Sequence, residues 1–74
     1  MPPFKPVPFR EIKRKLESLG FSVVSQKGSH IKLFKQMPNG SVTAIVPNHK
    51  EVSPGTVKSI LKQAMISYDE FDNA

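Results

Sequence analysis

The sequence predicts a two-layer α+β domain in which a three-stranded antiparallel sheet carries two helices on one face. Three observations support this fold class: an amphipathic segment near the start, three short strand-like segments separated by turn signals, and a second amphipathic segment with a strong helix start. Two short helices and one small sheet can bury their apolar faces only on each other. The opposite face of the sheet is therefore expected to be open to solvent.

The chain begins with a predicted extended arm and a first helix. Residues 1–8 (MPPFKPVP) contain four of the seven prolines, which disfavour a helix there. A helix is predicted from Phe9 to Leu19, because apolar residues recur at helical spacing and most basic residues lie outside that stripe. Gly20 follows as a helix stop. The apolar stripe consists of Phe9, Ile12, Leu16 and Leu19.

The middle of the chain predicts three strands joined by tight turns. Valines and a phenylalanine are interleaved with serines in FSVVSQ, and Ile31 and Leu33 alternate with polar residues in the next segment. Asn39-Gly40, within Met37–Gly40, is a hairpin signal because this pair accepts positive φ. The predicted strands are Phe21–Gln26, Ser29–Lys35 and Ser41–Val46, with Lys27-Gly28 connecting the first two.

A second helix is predicted to begin at Ser53-Pro54, since serine is a good N-cap and proline suits the first turn. A loop, Pro47–Glu51, precedes it, and a short acidic turn or helix is expected from Ser67. Residues 9–72 are thus predicted to form one domain with a thin core, as the short chain requires. The apolar stripe of this helix comprises Val57, Ile60, Leu61 and Ala64.

The charge of the chain is unevenly distributed. Eleven Lys and Arg stand against six Asp and Glu, which gives a formal net charge of +5. Three of the six acidic residues, Asp69, Glu70 and Asp72, lie in the last six positions. A compact basic body attracts polyanions, and nucleic acid is the leading candidate. The alternative is a solvated basic surface, which many small domains have.

The composition also excludes several kinds of site. The chain has no cysteine, which excludes disulfides and thiol-ligated metal sites and suits a cytosolic protein. No apolar run exceeds three residues, as in Ala44-Ile45-Val46, so no membrane span is expected, and the proline-rich start has no signal-peptide core. Glycine-rich phosphate loops are absent, and no small-molecule cofactor is expected.

His30 is the first candidate functional residue. Strand alternation directs Ile31 and Leu33 towards the helices, so His30, Lys32 and Phe34 are predicted to face away from them. An exposed histidine among lysines suits a binding or proton-transfer role, although a solvent-facing residue without a role fits the spacing equally well. The order α-β-β-β-α also matches, in outline, the double-stranded RNA-binding fold, which reads A-form RNA by its shape and backbone.

His49, in the loop PNHKE, is the second candidate. It approaches His30 if the loop folds back towards the sheet, and otherwise it is a loop histidine with a free side chain. The two histidines are 19 positions apart with no carboxylate cluster nearby, so a metal site is not expected. Ser29 is a weak candidate nucleophile, because no Asp or Glu is near in sequence to orient a histidine base.

A set of short stretches carries a further signal: Leu19-Gly20-Phe21, Gln26-Lys27-Gly28-Ser29-His30, Pro47-Asn48-His49, Gly55-Thr56 and Ser59-Ile60-Leu61-Lys62-Gln63-Ala64. In this order and spacing they resemble the HicA family of toxin–antitoxin mRNA interferases. The resemblance covers roughly residues 9–71. The sequence departs from the family at Met65, where a glycine is common, and in its longer proline-rich arm.

The resemblance implies a double-stranded RNA-binding-like fold, ribonuclease activity that blocks translation, and inhibition by a HicB-type antitoxin. The catalytic histidine of the family falls on His30. Together with the residues themselves, this leads us to expect a metal-independent endoribonuclease acting on mRNA in the cytoplasm, with His30 as general acid or base. The expected RNA contacts are Lys27, Gly28, Ser29, Lys32 and His49.

Two other functions fit the same residues. A non-catalytic RNA-binding module would use the same basic sheet face only to hold phosphates. An interaction protein would use that face to dock an acidic partner. Substitution of His30 distinguishes the enzyme from both, because neither alternative needs a proton-transfer group.

Overall fold

The structure, a computed structural model, describes residues 5–74, and the first half of the predicted arm, residues 1–4, lies outside the described residues. The three strands form one antiparallel sheet in the order β1-β2-β3. The predicted α+β class and the order of its elements are therefore confirmed. The elements are α1 (Phe9–Ser18), β1 (Ser22–Lys27), β2 (His30–Met37), β3 (Gly40–Pro47), α2 (Pro54–Ala64) and α3 (Tyr68–Asp72).

One apolar core lies between the helices and one face of the sheet. Ile31 and Leu33 of β2 are buried in it, which confirms the predicted alternation. The predicted helix stripes supply the facing side chains, with Ile12 and Leu16 of α1 fully buried. Burial of these side chains is the main stabilising term for so small a domain. The remaining core residues are Phe21, Val42, Ala44, Val46, Val52, Val57, Ile60, Leu61, Ala64 and Phe71.

The strand β1 differs from the other two because all six of its residues are exposed. The helix α2 packs mainly on β3, and α1 also contacts β3, so the helical layer is centred on β3 and covers β1 least. The register of β1 against β2 shifts between Val23 and Ser25, which leaves Val24 as the extra residue of a bulge. The valines of β1 therefore contribute little to the core, although their composition is typical of a half-buried strand.

The helices α2 and α3 each begin at a serine whose side chain caps the helix. The side chain of Ser53 accepts a hydrogen bond from the Thr56 backbone N–H, as the predicted helix start requires. The predicted acidic segment is the short helix α3, which starts with a capping box between Ser67 and Glu70. Lys15 of α1 donates to the carbonyl of Phe71 at 3.1 Å, and this contact holds α3 against α1. Within residues 5–74, no helix has the length and apolarity to cross a membrane.

Candidate functional site

His30 is the first residue of β2 and lies beside the β1–β2 turn. Gly28 and Ser29 form this turn, because Lys27 pairs directly with His30 across it. Gly28 has a φ of 60°, in the left-handed region that a residue with a side chain rarely adopts. The turn is thus one residue later than predicted, and the strand begins at His30 rather than at Ser29. His30 is exposed, as the alternation predicts.

The sheet face that carries His30 is basic. Residues directly opposite one another in an antiparallel sheet share a face, so Lys27 on β1 and Pro47 on β3 flank His30. Lys32 lies two residues further along β2 on the same face and is exposed. Phe34 follows and is half-buried. The segment 22–47 contains three lysines and no Asp or Glu, so no carboxylate of the sheet offsets this charge.

Lys35, the third lysine of the segment, does not belong to this face. It pairs with the buried Val42 and so lies on the helix side of the sheet. Its Nζ atom lies 5.8 Å from the centroid of the Phe21 ring, a cation–π contact at the edge of the core. Lys35 therefore has a structural contact, whereas the side chains of Lys27 and Lys32 make no hydrogen bond or ion pair with any other residue in the described part of the chain.

The loop that carries His49 is held next to the β1–β2 turn. The backbone N–H of Asn48 donates to the carbonyl of Ser29 at 2.6 Å, and the N–H of Phe9 donates to the carbonyl of His49 at 3.0 Å. These two hydrogen bonds join the loop to the turn beside His30 on one side and to the start of α1 on the other. The first of these bonds continues the β2–β3 ladder by one residue, so the loop leaves the sheet beside the β1–β2 turn.

The second half of the predicted arm is also part of this arrangement. Val7 and Val52 form an isolated antiparallel bridge, in which each N–H donates to the carbonyl of the other at 3.1 and 2.8 Å. The bridge ties the arm to the segment that follows His49. Val52 is fully buried, so this attachment is anchored in the core.

An open cleft of about 480 Å³ lies between the start of α1 and the His49 loop. Two of its lining residues, Arg10 and Lys50, are basic residues that the sequence analysis did not select. Arg10 is one of the basic residues outside the apolar stripe of α1, and no local sequence signal connects it with position 50. The complete lining is Pro8, Phe9, Arg10, Asn48, His49 and Lys50.

Both histidine side chains are available for a ligand. Neither imidazole forms a hydrogen bond or ion pair with another of the residues that the structure describes, and both are exposed. The hydroxyl of Ser29 likewise makes no hydrogen bond to either histidine in that part of the chain, so the arrangement gives no support to Ser29 as a nucleophile. No group of three His, Asp or Glu side chains within residues 5–74 is placed to hold a metal ion.

The site therefore offers two imidazoles, a basic sheet face and a basic cleft beside it. Histidines can transfer protons near neutral pH, and lysines and arginines can bind phosphate groups. Comparison with protein families gives an independent finding. A family model described as "HicA toxin of bacterial toxin-antitoxin" matches residues 9–66 of the 74-residue chain. No curated protein matches the chain.

Proposed function

The chain belongs to the HicA toxin family of bacterial toxin–antitoxin systems, and we propose that it is an endoribonuclease that cleaves mRNA through His30. The observation that carries the proposal is the position of His30, exposed at the start of β2 with Lys27 directly opposite and Lys32 on the same face. A proton-transfer group and two cations thus share one open surface. RNA cleavage needs this combination.

RNA supplies its own nucleophile, so the protein needs no covalent chemistry. The 2′-oxygen attacks the adjacent phosphorus as a base removes its proton, and the bond from phosphorus to the 5′-oxygen breaks as an acid protonates that oxygen. The products are a 2′,3′-cyclic phosphate and a 5′-hydroxyl. One well-placed acid or base contributes roughly 10²–10⁴-fold to such a reaction.

The roles follow from position. His30 acts as the general base or acid, and Lys27 and Lys32 hold the phosphate and stabilise the charge of the transition state. Gly28 leaves room for the RNA backbone, because even a Cβ atom built there would meet nothing within 4 Å. His49 is the candidate for the second proton-transfer group, since its loop is bonded to the turn next to His30. The reaction needs no metal ion in this mechanism.

Membership of a toxin–antitoxin family implies an antitoxin as partner. We propose that this antitoxin is of the HicB type and covers the sheet face around His30. Because Lys27 and Lys32 lie on this face and residues 22–47 contain no acidic residue, the contact surface of the antitoxin is expected to be acidic. Inhibition then results from exclusion of RNA from His30, and both proteins act in the cytoplasm, where the mRNA is.

The proposal is tested by inducing expression of the wild-type chain and of His30→Ala in bacteria, with and without the product of the adjacent gene. We expect mRNA to be degraded only by the wild type and only without the adjacent product. Equal degradation by His30→Ala at equal protein level would refute the role of His30. RNA binding without cleavage by the purified wild type would favour the alternative of a binding module, and such a module should lose little RNA binding in His30→Ala.

A further inference from the structure

The cleft beside the active face is unusual in its charge. Its lining contains the cations Arg10 and Lys50 and the imidazole of His49, and it contains no Asp or Glu. The second cleft found in the described chain, of about 220 Å³, is lined by Glu11 and Asp72 as well as by lysines. Of these two clefts in the described part of the chain, the first is the one with charge of a single sign, which suits an anionic ligand.

The two cations of the cleft have no structural partner. The side chains of Arg10 and Lys50 form no hydrogen bond, ion pair or cation–π contact with another residue that the structure describes. Neighbouring basic residues of α1 do have partners: Lys13 pairs with Glu17 at 3.1 Å, and Arg14 lies 3.8 Å from Glu11. Ion pairs within the domain therefore give Lys13 and Arg14 a structural role, whereas no such contact gives one to Arg10 or Lys50.

The cleft is built from segments that the backbone holds together. The Phe9 N–H to His49 carbonyl bond closes one wall, and the Asn48 N–H to Ser29 carbonyl bond joins the other wall to the turn before His30. Pro47, the residue before Asn48, pairs directly with His30. The lining of the cleft thus begins at Asn48, one residue after the residue that pairs with His30.

The size and lining of the cleft fit one nucleotide. A volume of about 480 Å³ is within the usual range for small-ligand sites. Phe9, half-buried and packed on the core, gives the cleft an apolar wall of the kind on which RNA-binding proteins stack unpaired bases. Arginine and lysine suit the phosphate.

We propose that this cleft binds one nucleotide of the substrate RNA adjacent to the phosphate at His30, with Arg10 and Lys50 on its phosphate and Phe9 against its base. The inference rests on the proposed function for the identity of the ligand as RNA. It does not depend on cleavage.

The test uses a fluorescently labelled, single-stranded 2′-O-methyl RNA, which lacks the nucleophile and stays intact. Its affinity for the full chain is measured by fluorescence anisotropy at several salt concentrations. The double variant Arg10→Ala/Lys50→Ala is compared with Arg14→Ala/Lys62→Ala, which loses the same two charges outside the cleft. Thermal unfolding of each variant establishes that the fold is retained.

We expect the cleft variant to bind about 10- to 100-fold more weakly, and the control to lose less than about three-fold. The magnitude of the slope of log affinity against log salt should also decrease by about 0.7 in the cleft variant, because Arg10 and Lys50 share one phosphate and each neutralised phosphate of a single strand contributes about 0.7. Phe9→Leu, which keeps an apolar side chain on the core, should weaken binding about five-fold or more through loss of stacking.

Equal losses in the two double variants, or no loss in either, would overturn the inference. The result of this binding test is independent of the result of the cleavage test on His30→Ala. If His30→Ala cleaves RNA normally while the cleft variant loses binding, the cleavage proposal fails and the nucleotide site stands. If His30 is required and the cleft variant binds like its control, the nucleotide site fails and the cleavage proposal stands.

Discussion

Replacement of Met65 by glycine should stabilise the fold. Met65 is the C-cap of α2 and has φ 58° and ψ 40°, in the left-handed region. It is the one non-glycine residue with positive φ within residues 5–74. Its side chain is 79% exposed, so removing it costs little packing.

The size of the effect follows from two opposing terms. A residue with a Cβ atom costs about 1–2 kcal/mol in the left-handed region, and glycine avoids this cost. Glycine also destabilises the fold by up to about 1 kcal/mol, because it makes the unfolded chain more flexible and so increases the entropy lost on folding. We therefore expect the free energy of unfolding to rise by about 0.5–1 kcal/mol, which is a Tm increase of about 2–8 °C for a domain of this size.

Urea denaturation followed by circular dichroism measures this change directly. Met65→Ala is the matched control, since it removes the same exposed side chain but keeps the Cβ atom, and it should stay within about 0.5 kcal/mol of the wild type. If Met65→Gly is no more stable than Met65→Ala, the α2 C-cap is not strained and the reasoning is refuted.

Three further changes test other parts of the structure. Ser53→Ala removes the side chain that accepts from the Thr56 N–H and should lower the free energy of unfolding by about 1 kcal/mol in urea denaturation, whereas no change would mean that this cap is not stabilising. Lys32→Ala should lower the salt slope of RNA binding by about 0.7 with an unchanged Tm, and an unchanged slope would remove Lys32 from the RNA contact. Val7→Pro removes the N–H that donates to the Val52 carbonyl and should speed hydrogen exchange of the Val52 amide about five-fold, so an unchanged rate would show that the arm does not hold this segment.

Local sequence signals were sufficient for the elements that bear the predicted catalytic residue. The alternation of Ile31 and Leu33 with polar residues correctly placed His30 and Lys32 on the open face. Ser53-Pro54 correctly marked the start of α2. These predictions succeed because strand period and helix capping depend on neighbouring residues only.

The exact turns were less predictable. The β2–β3 turn places Pro38 and Asn39 between the paired residues Met37 and Gly40, and of the predicted Asn39-Gly40 pair it is Gly40 that has the positive φ, at 148°. Sequence alone identifies a turn here, but the register of the pair of strands decides which residue takes the unusual conformation.

The cleft could not be predicted, because it depends on a long-range contact. Val7 and Val52 are 45 positions apart, and neither residue carries a local signal for the bridge between them. Arg10 and Lys50 come together only as a result of that pairing and of the Phe9–His49 hydrogen bond. The exposure of β1 has a similar origin, since it depends on which strands the helices cover.

The most direct test of the central claim is the cleavage rate of a single-stranded RNA by the purified wild type and by His30→Ala, each shown to be folded by its thermal unfolding. The mechanism predicts that the variant binds the RNA but cleaves it roughly 10²–10⁴-fold more slowly, and that the wild type remains active with a metal chelator present. Cleavage by His30→Ala at the wild-type rate would contradict the assignment of His30 as the proton-transfer residue.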